Sequence, residues 1–231
     1  MQRLAVACAF LTVALFTAVT ASGAVHRHIL GRSVDGKPIV AFELGDTHSR
    51  RKVLVVGCVH GDEPAGVEVT SRLLTLAPPP GVDLWIVPSF NPDGERLGTR
   101  GNAHGVDLNR NFPFRWLSLT GGYYSGPRAL SEPESRSAYR LMRRLRPAIT
   151  IWFHQHMNLV DISGGSRPVE RRFARLVGLP VASLAREPGS IVTWENAAFP
   201  RGSAFVVELP AGRLVPSAAL RFAHAIQTIA G

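Results

Sequence analysis

The sequence predicts a three-layer α/β/α sandwich on a mixed, largely parallel sheet. Two observations carry this expectation. Short, continuously apolar runs of strand length alternate with stretches of helical spacing, the pattern of a parallel sheet covered on both faces. Residues able to do chemistry, among them His60, His154 and Glu208, fall at or just past the ends of those runs. Open α/β sheets build their sites there.

The chain starts Met1-Gln2-Arg3, runs apolar over residues 4–19 and then reaches Ala21-Ser22-Gly23-Ala24. A basic start, an apolar stretch and a small-x-small site form the pattern of a secretory signal peptide. Residues 1–24 are therefore expected to be a leader cut after Ala24, with Ala21 as the second choice, and residues 25–231 one domain. The competing expectation is an uncleaved anchor, for which the apolar run is slightly short. Cys8 has almost no apolar run before it and is not a lipid-attachment cysteine. The protein is thus expected to be exported, either secreted or held at the cell envelope. Loss of the leader leaves Cys58 as the single cysteine, so the fold depends on no intrachain disulfide. Cys58 sits in an apolar run and reads as a small core residue rather than a nucleophile.

Residues 29–34 and 38–44 flank Asp35-Gly36 and predict a hairpin. Residues 53–59 form a continuous apolar run, as in a strand buried on both faces. Residues 64–76 have helical spacing and stop at Pro78-Pro79-Pro80-Gly81. Residues 82–87 predict the next strand. From 88 to 127 the chain is rich in Gly, Asn, Pro and Asp, and long irregular stretches in compact domains are usually functional. Ser131-Glu132-Pro133-Glu134 opens a helix, with Ser131 as N-cap and Glu134 completing a capping box. Over 136–146, Tyr139, Met142 and Leu145 recur with arginines between them, an amphipathic helix with a solvated basic face. Residues 148–153 predict a strand, 169–177 a helix, 204–209 a late strand and 216–229 a closing helix.

The formal net charge is +9 at pH 7, and Lys37 and Lys52 are the only lysines. No nucleic-acid-reading motif accompanies the basic helix, so no nucleic-acid partner is expected. An anionic cell-wall or membrane surface suits an exported basic protein better.

His60-Gly61-Asp62-Glu63 can offer an imidazole and a carboxylate to one ion from a single turn. Zinc accepts both, and a catalytic zinc keeps three protein ligands and one water. A third ligand would be a distant strand-end histidine. Trp152-Phe153-His154-Gln155-His156 supplies two candidates, His154 directly after the apolar run and His156 two residues on, as ligand or as an outer group. His26, His28, His48, His104 and His224 have no ligand spacing and read as surface or packing residues.

Five segments follow one another in order: Gly57-x-x-His60-Gly61-Asp62-Glu63; Asn91-Pro92-Asp93-Gly94; Thr99-Arg100-Gly101-Asn102; Gly105-Val106-Asp107-Leu108-Asn109-Arg110-Asn111-Phe112-Pro113; and, after His154, Phe205-Val206-Val207-Glu208-Leu209-Pro210. Together they resemble the zinc carboxypeptidase family, and most of all its short bacterial murein peptide amidases. The resemblance implies one zinc ion held by His60, Glu63 and His154. It implies Glu208 as the carboxylate that takes and returns a proton, and Arg100 (with Arg96 as nearby competitor) as the group that polarises the scissile carbonyl. Asn109 and Arg110 match the pair that grips a substrate carboxylate. The implied substrate is a small peptide with a free carboxylate, cleaved between γ-D-glutamate and diaminopimelate. One departure stands out. Many digestive members carry a mobile tyrosine shortly before the catalytic glutamate, and no tyrosine lies between Met157 and Glu208. Trp194 or another loop residue is expected to cover the site instead.

Two other functions compete. A zinc deacylase related to aspartoacylase and succinylglutamate desuccinylase would share the ligands, but Asn91-Pro92-Asp93-Gly94, Glu208-Leu209-Pro210 and the leader fit the peptidase branch better. A catalytically silent cell-wall binding protein would have no need of the full set of ligands, carboxylate and arginines.

Overall fold

A computed structural model describes residues 24–231. The expected leader, apart from Ala24, lies outside the described residues. A hairpin of β1 (His26–Arg32) and β2 (Pro38–Gly45) opens the fold, followed by β3 (Lys52–Val56), α1 (Ala65–Leu73) and β4 (Asp83–Val87). The long irregular stretch holds α2 (Pro92–Leu97) and two single-turn 3₁₀ segments, Leu108–Arg110 and Gly121–Tyr123. Then come α3 (Pro133–Leu145), β5 (Ile149–Asp161), α4 (Arg167–Val177), β6 (Val181–Ala182), α5 (Ile191–Ala198), β7 (Ser203–Pro210) and α6 (Pro216–Ala230).

The sheet order is β1-β2-β4-β3-β5-β6, with β7 also on β5. The hairpin and its contact to β4 are antiparallel; every other pairing is parallel. Alternation along β3 shows why helices cover both faces. Val53 and Val55 join a core with Val69 and Leu73 of α1, Phe173 of α4 and Phe222 of α6. Leu54 and Val56 join the opposite core, with Leu141 and Met142 of α3 and Ile191 of α5. Side chains point alternately to the two faces of a strand, so a run buried on both must be apolar throughout. Each such fully buried Val or Leu contributes roughly 1.5–3 kcal/mol of transfer free energy. The predicted three-layer α/β/α sandwich with a mixed, largely parallel sheet is the fold observed.

Three local expectations change. The strand expected over 148–153 continues to Asp161, because β7 and then β6 supply pairing partners beyond Phe153. His154 therefore lies inside a strand rather than after it. The N-cap of α3 is Glu132, not Ser131, and no side chain caps that end. Pro133 takes the first helical position, where its missing N–H costs nothing. Glu134 instead accepts from Val34 N at 2.9 Å and from Asn102 Nδ2 at 3.1 Å, tying helix, hairpin and loop together. Finally, α5 and β6 were not read from the sequence. The two residues of β6 carry too little pattern, and α5 is short and mostly apolar.

Cys58 is fully buried, and burial first, then the charge of Glu95, pushes its thiol up to about 12. It is a packing residue, as expected.

Glu195 of α5 is enclosed against the sheet, where Thr150 Oγ1 and, at 3.0 Å, Trp152 Nε1 donate to it. Burial outweighs both hydrogen bonds and pushes the carboxyl up to about 7. Glu170 is raised to about 7 as well, first by burial and also by the charge of Asp161. Folded pKa values above the ordinary 4.5 mean that the native state holds extra protons between these limits. Their stabilisation is complete at lower pH and is lost as pH rises through about 7. Unfolding free energy should therefore drop by a few kcal/mol, as an order of magnitude, between pH 5 and 8. Chemical denaturation of Glu195→Gln should show a clearly shallower drop, and a slope equal to wild type would show that Glu195 does not hold this proton.

Candidate metal centre and cleft

His60 lies in the turn after β3, which the chain must make tightly. A Cβ on Gly61 would fall 1.9 Å from the carbonyl carbon of Gly94 in α2, so only glycine fits. Asn91 locks the turn to its neighbours. Its Oδ1 accepts from Gly94 N at 2.9 Å, capping α2, while its Nδ2 donates to Val59 O at 3.2 Å and Arg100 O at 3.3 Å. Asn102 holds the next loop, donating to Glu132 at 2.8 Å and accepting from Val106 N at 3.1 Å. Asn111 ties the third by donating to Ser125 O at 2.7 Å. These three buried amides hold the irregular segments between β4 and α3.

The loops and the strands bring His60, Glu63 and His154 together. Nδ1 of His60 is 3.0 Å from Glu63 Oε1, and Nδ1 of His154 is 2.9 Å from Glu63 Oε2. The two Nδ1 atoms are 3.2 Å apart. Ligand atoms around a tetrahedral zinc, each about 2.0–2.1 Å from the ion, stand about 3.3 Å apart. The donor set fits that ion in type and spacing. It is the metal-capable cluster found among the described residues, and His156 is not part of it.

Electrostatics agrees with the geometry. His60 Nε2 meets Asp107 Oδ1 at 2.9 Å. Burial would lower the His60 pKa, but Asp107 and then Glu63 raise it to about 9. Burial would raise Glu63, but His154 and His60 hold it far below the usual carboxylate range. Asp107 behaves alike: burial is outweighed by His60 and by the charges of Arg100 and Arg110. Two buried carboxylates thus demand positive charge between the imidazoles. A cation at Nδ1 of His60 would replace a proton there, while Nε2–H stays directed at Asp107.

Glu208 lies on β7 in direct register with His154 on β5. Parallel partners share a face, so its carboxylate enters the same cleft. That cleft has a volume of about 790 Å³, and His60, Glu63, Arg100, Asn109, Arg110, His154 and Glu208 all line it. Arg100 donates from Nε to Asp107 Oδ2 at 2.9 Å and from Nη1 to Glu63 Oε1 at 3.2 Å. Arg96 does not line the cleft and instead approaches Asp35 at 3.5 Å on the surface. Asn109 Oδ1 accepts from Ile191 N at 2.9 Å at the start of α5, which turns the amide nitrogen away from that helix. Arg110 is buried. Its Nη1 donates to Asn109 O at 3.0 Å, and Glu187 stands 4.0 Å from Nη2, beyond hydrogen-bond reach. His156 lines the cleft but is exposed.

Trp194 does not cover the site. It is buried against Phe112, Tyr139 and Phe199, because α5 turns that face into the core. Phe114 and Tyr123 are the aromatic residues that line the cleft, and the Tyr123 ring lies 5.2 Å from the Cζ of both Arg100 and Arg110. Sequence reading missed two residues here. Asp107 stood inside the Gly-Val-Asp-Leu-Asn-Arg string without a role. Tyr123 lies in an irregular segment with no spacing to mark it.

The zinc carboxypeptidase family profile matches residues 80–171. Murein peptide amidase A of Escherichia coli (strain K12) is 34% identical over 180 residues, covering 71% of this chain and 74% of that protein. The Vibrio campbellii protein of that name is 31% identical over 182 residues, covering 72% and 73%. The crystal structure of the murein-tripeptide amidase from Escherichia coli O157 superposes with a TM-score of 0.71 at 28% identity, covering 88% of this chain and 91% of that one.

Metal analysis tests the cluster. His60→Ala and His154→Ala should each lose bound zinc, and Asp107→Asn should weaken it about 10- to 100-fold. Full zinc content in folded His154→Ala would move the ligand role to His156.

Proposed function

Given that this chain belongs to the zinc carboxypeptidase family, hydrolases that act on peptide bonds, we propose that it cleaves an amide in a small cell-wall peptide, in the manner of a γ-D-glutamyl-diaminopimelate amidase. The observation that carries the reading is one cleft holding the three-donor cluster, a registered carboxylate and a buried guanidinium with no carboxylate in hydrogen-bond reach. Similarity to murein amidases over about three quarters of their length supports the cell-wall substrate.

His60, Glu63 and His154 would hold one zinc ion. Bound there, zinc supplies Lewis-acid chemistry and makes water acidic enough to act near neutral pH. Glu208 takes the proton that the attacking water sheds and delivers it to the departing amine nitrogen. Arg100, braced by Asp107, stabilises negative charge developing on the carbonyl oxygen. Asn109 and Arg110 bind the free carboxylate of the substrate, which a guanidinium fork meets with two parallel hydrogen bonds. A deacylase reading gains nothing from the cleft that the peptidase reading lacks.

We place the protein outside the cytoplasm, exported by residues 1–24 and cut after Ala24. Its arginine-rich helices favour an anionic wall or membrane surface.

Glu208→Gln should keep zinc and substrate binding but lose turnover by about 10²- to 10⁴-fold. A drop smaller than about threefold removes Glu208 from proton transfer. Incubation with purified muropeptides and mass spectrometry of the products should show scission before diaminopimelate. Peptides ending in free carboxylate should bind about ten- to a hundredfold better than amidated ones. Equal rates on both would sink the carboxylate grip, and faster cleavage of an acylated amino acid would favour the deacylase.

A further inference from the structure

Tyr123 has no place in the mechanism above, yet its ring is the common neighbour of Arg100 and Arg110, two of the arginines that line the cleft. The Cζ atoms of Arg100 and Arg110 each lie 5.2 Å from its centroid. Cations within about 6 Å of an aromatic centroid are attracted by the ring quadrupole, the more so when desolvated. Two guanidiniums this close to one ring repel each other, and each needs a partner. Arg100 has Asp107 and Glu63. Arg110, nearly buried, has a backbone carbonyl and a carboxylate 4.0 Å away. The ring therefore matters most to Arg110.

The position of the ring is fixed from below. Asp107 N donates to Tyr124 O at 2.8 Å, so the turn carrying Tyr123 is tied to the turn carrying Asp107, Asn109 and Arg110. Ser125 closes the segment on itself, accepting from Leu119 N at 2.9 Å and donating to Leu117 O at 2.8 Å. Tyr123 nonetheless leaves 55% of its surface open at the cleft. A large aromatic anchored on both sides in sequence and left open beside two cations is placed for use.

We propose that Tyr123 is a positioning residue for the substrate grip: its ring holds the Arg110 guanidinium aimed into the cleft for the substrate carboxylate. The proposal rests on the carboxylate reading given above. It assigns the work to the ring, not to the phenol hydroxyl.

The test compares wild type with Tyr123→Phe and Tyr123→Leu on free and amidated forms of one diaminopimelate peptide. Tyr123→Leu should raise KM for the free form by about 3- to 30-fold, the span of one or two cation–π contacts. Its kcat should change less, and KM for the amidated form should rise less than KM for the free form, so discrimination shrinks. Tyr123→Phe should stay close to wild type. Calorimetric titration of the free peptide into Glu208→Gln, with and without Tyr123→Leu, should reproduce the shift as a weaker Kd. If the Leu variant folds poorly, Tyr123→Met replaces it. An unchanged KM in the apolar variant overturns the proposal, and equal impairment in Phe and Leu variants moves the role to the hydroxyl and overturns it too. Wild type that does not distinguish free from amidated peptide sinks the carboxylate reading itself, whereas normal discrimination unaffected by Tyr123→Leu sinks this proposal alone.

Discussion

Two buried carboxylates, Glu63 and Asp107, face two imidazoles in one cleft, and the positive charge this junction requires governs the structure around it. The Asp107 side chain has no exposure, and that of Glu63 is mostly enclosed. Buried carboxylates are costly unless neutralised and hydrogen-bonded. The chain meets the need with His60 and Arg100 on Asp107, and with His60, His154 and Arg100 on Glu63. A divalent ion among the same donors meets it more fully. Metal affinity and the orientation of Arg100 thus share a cause.

The sheet and the loops contribute differently to this junction. Parallel pairing of β5 with β7 sets His154 beside Glu208 without any specific side-chain contact. The loops have no ladder to fix them, so Asn91, Asn102 and Asn111 saturate their backbone groups from within. Each is fully or nearly fully buried. A buried amide that loses its partners costs about 1–3 kcal/mol, so each of these side chains is a strong tie on the loops between β4 and α3.

Much of this was legible in the sequence, for physical reasons. Continuous apolar runs forced a sheet covered on both faces, and the H-x-x-E turn after one of them forced two donors onto one spot. Order of motifs supplied the expected roles of Arg100, Asn109, Arg110 and Glu208, all of which line the cleft. What stayed hidden depends on tertiary partners. The extension of β5 past His154 needs β6 and β7, which local propensity does not show. The burial of Trp194 depends on the facing of a short helix in which Thr193, Glu195 and Asn196 interrupt the apolar residues and leave no clear polar face. Glu134 reads as half of a capping box until Val34 and Asn102 occupy it. Tyr123 acquires meaning only when the loop folds it against arginines that are neighbours in space.

The central claim is that one zinc ion sits among His60, Glu63 and His154, and zinc-edge X-ray absorption of the loaded protein addresses it most directly. The account predicts a shell of nitrogen and oxygen only, at about 2.0–2.1 Å, with outer scattering from two imidazoles. A sulfur neighbour at about 2.3 Å, which would bring in Cys58, or scattering from three imidazoles, which would bring in His156, would contradict it.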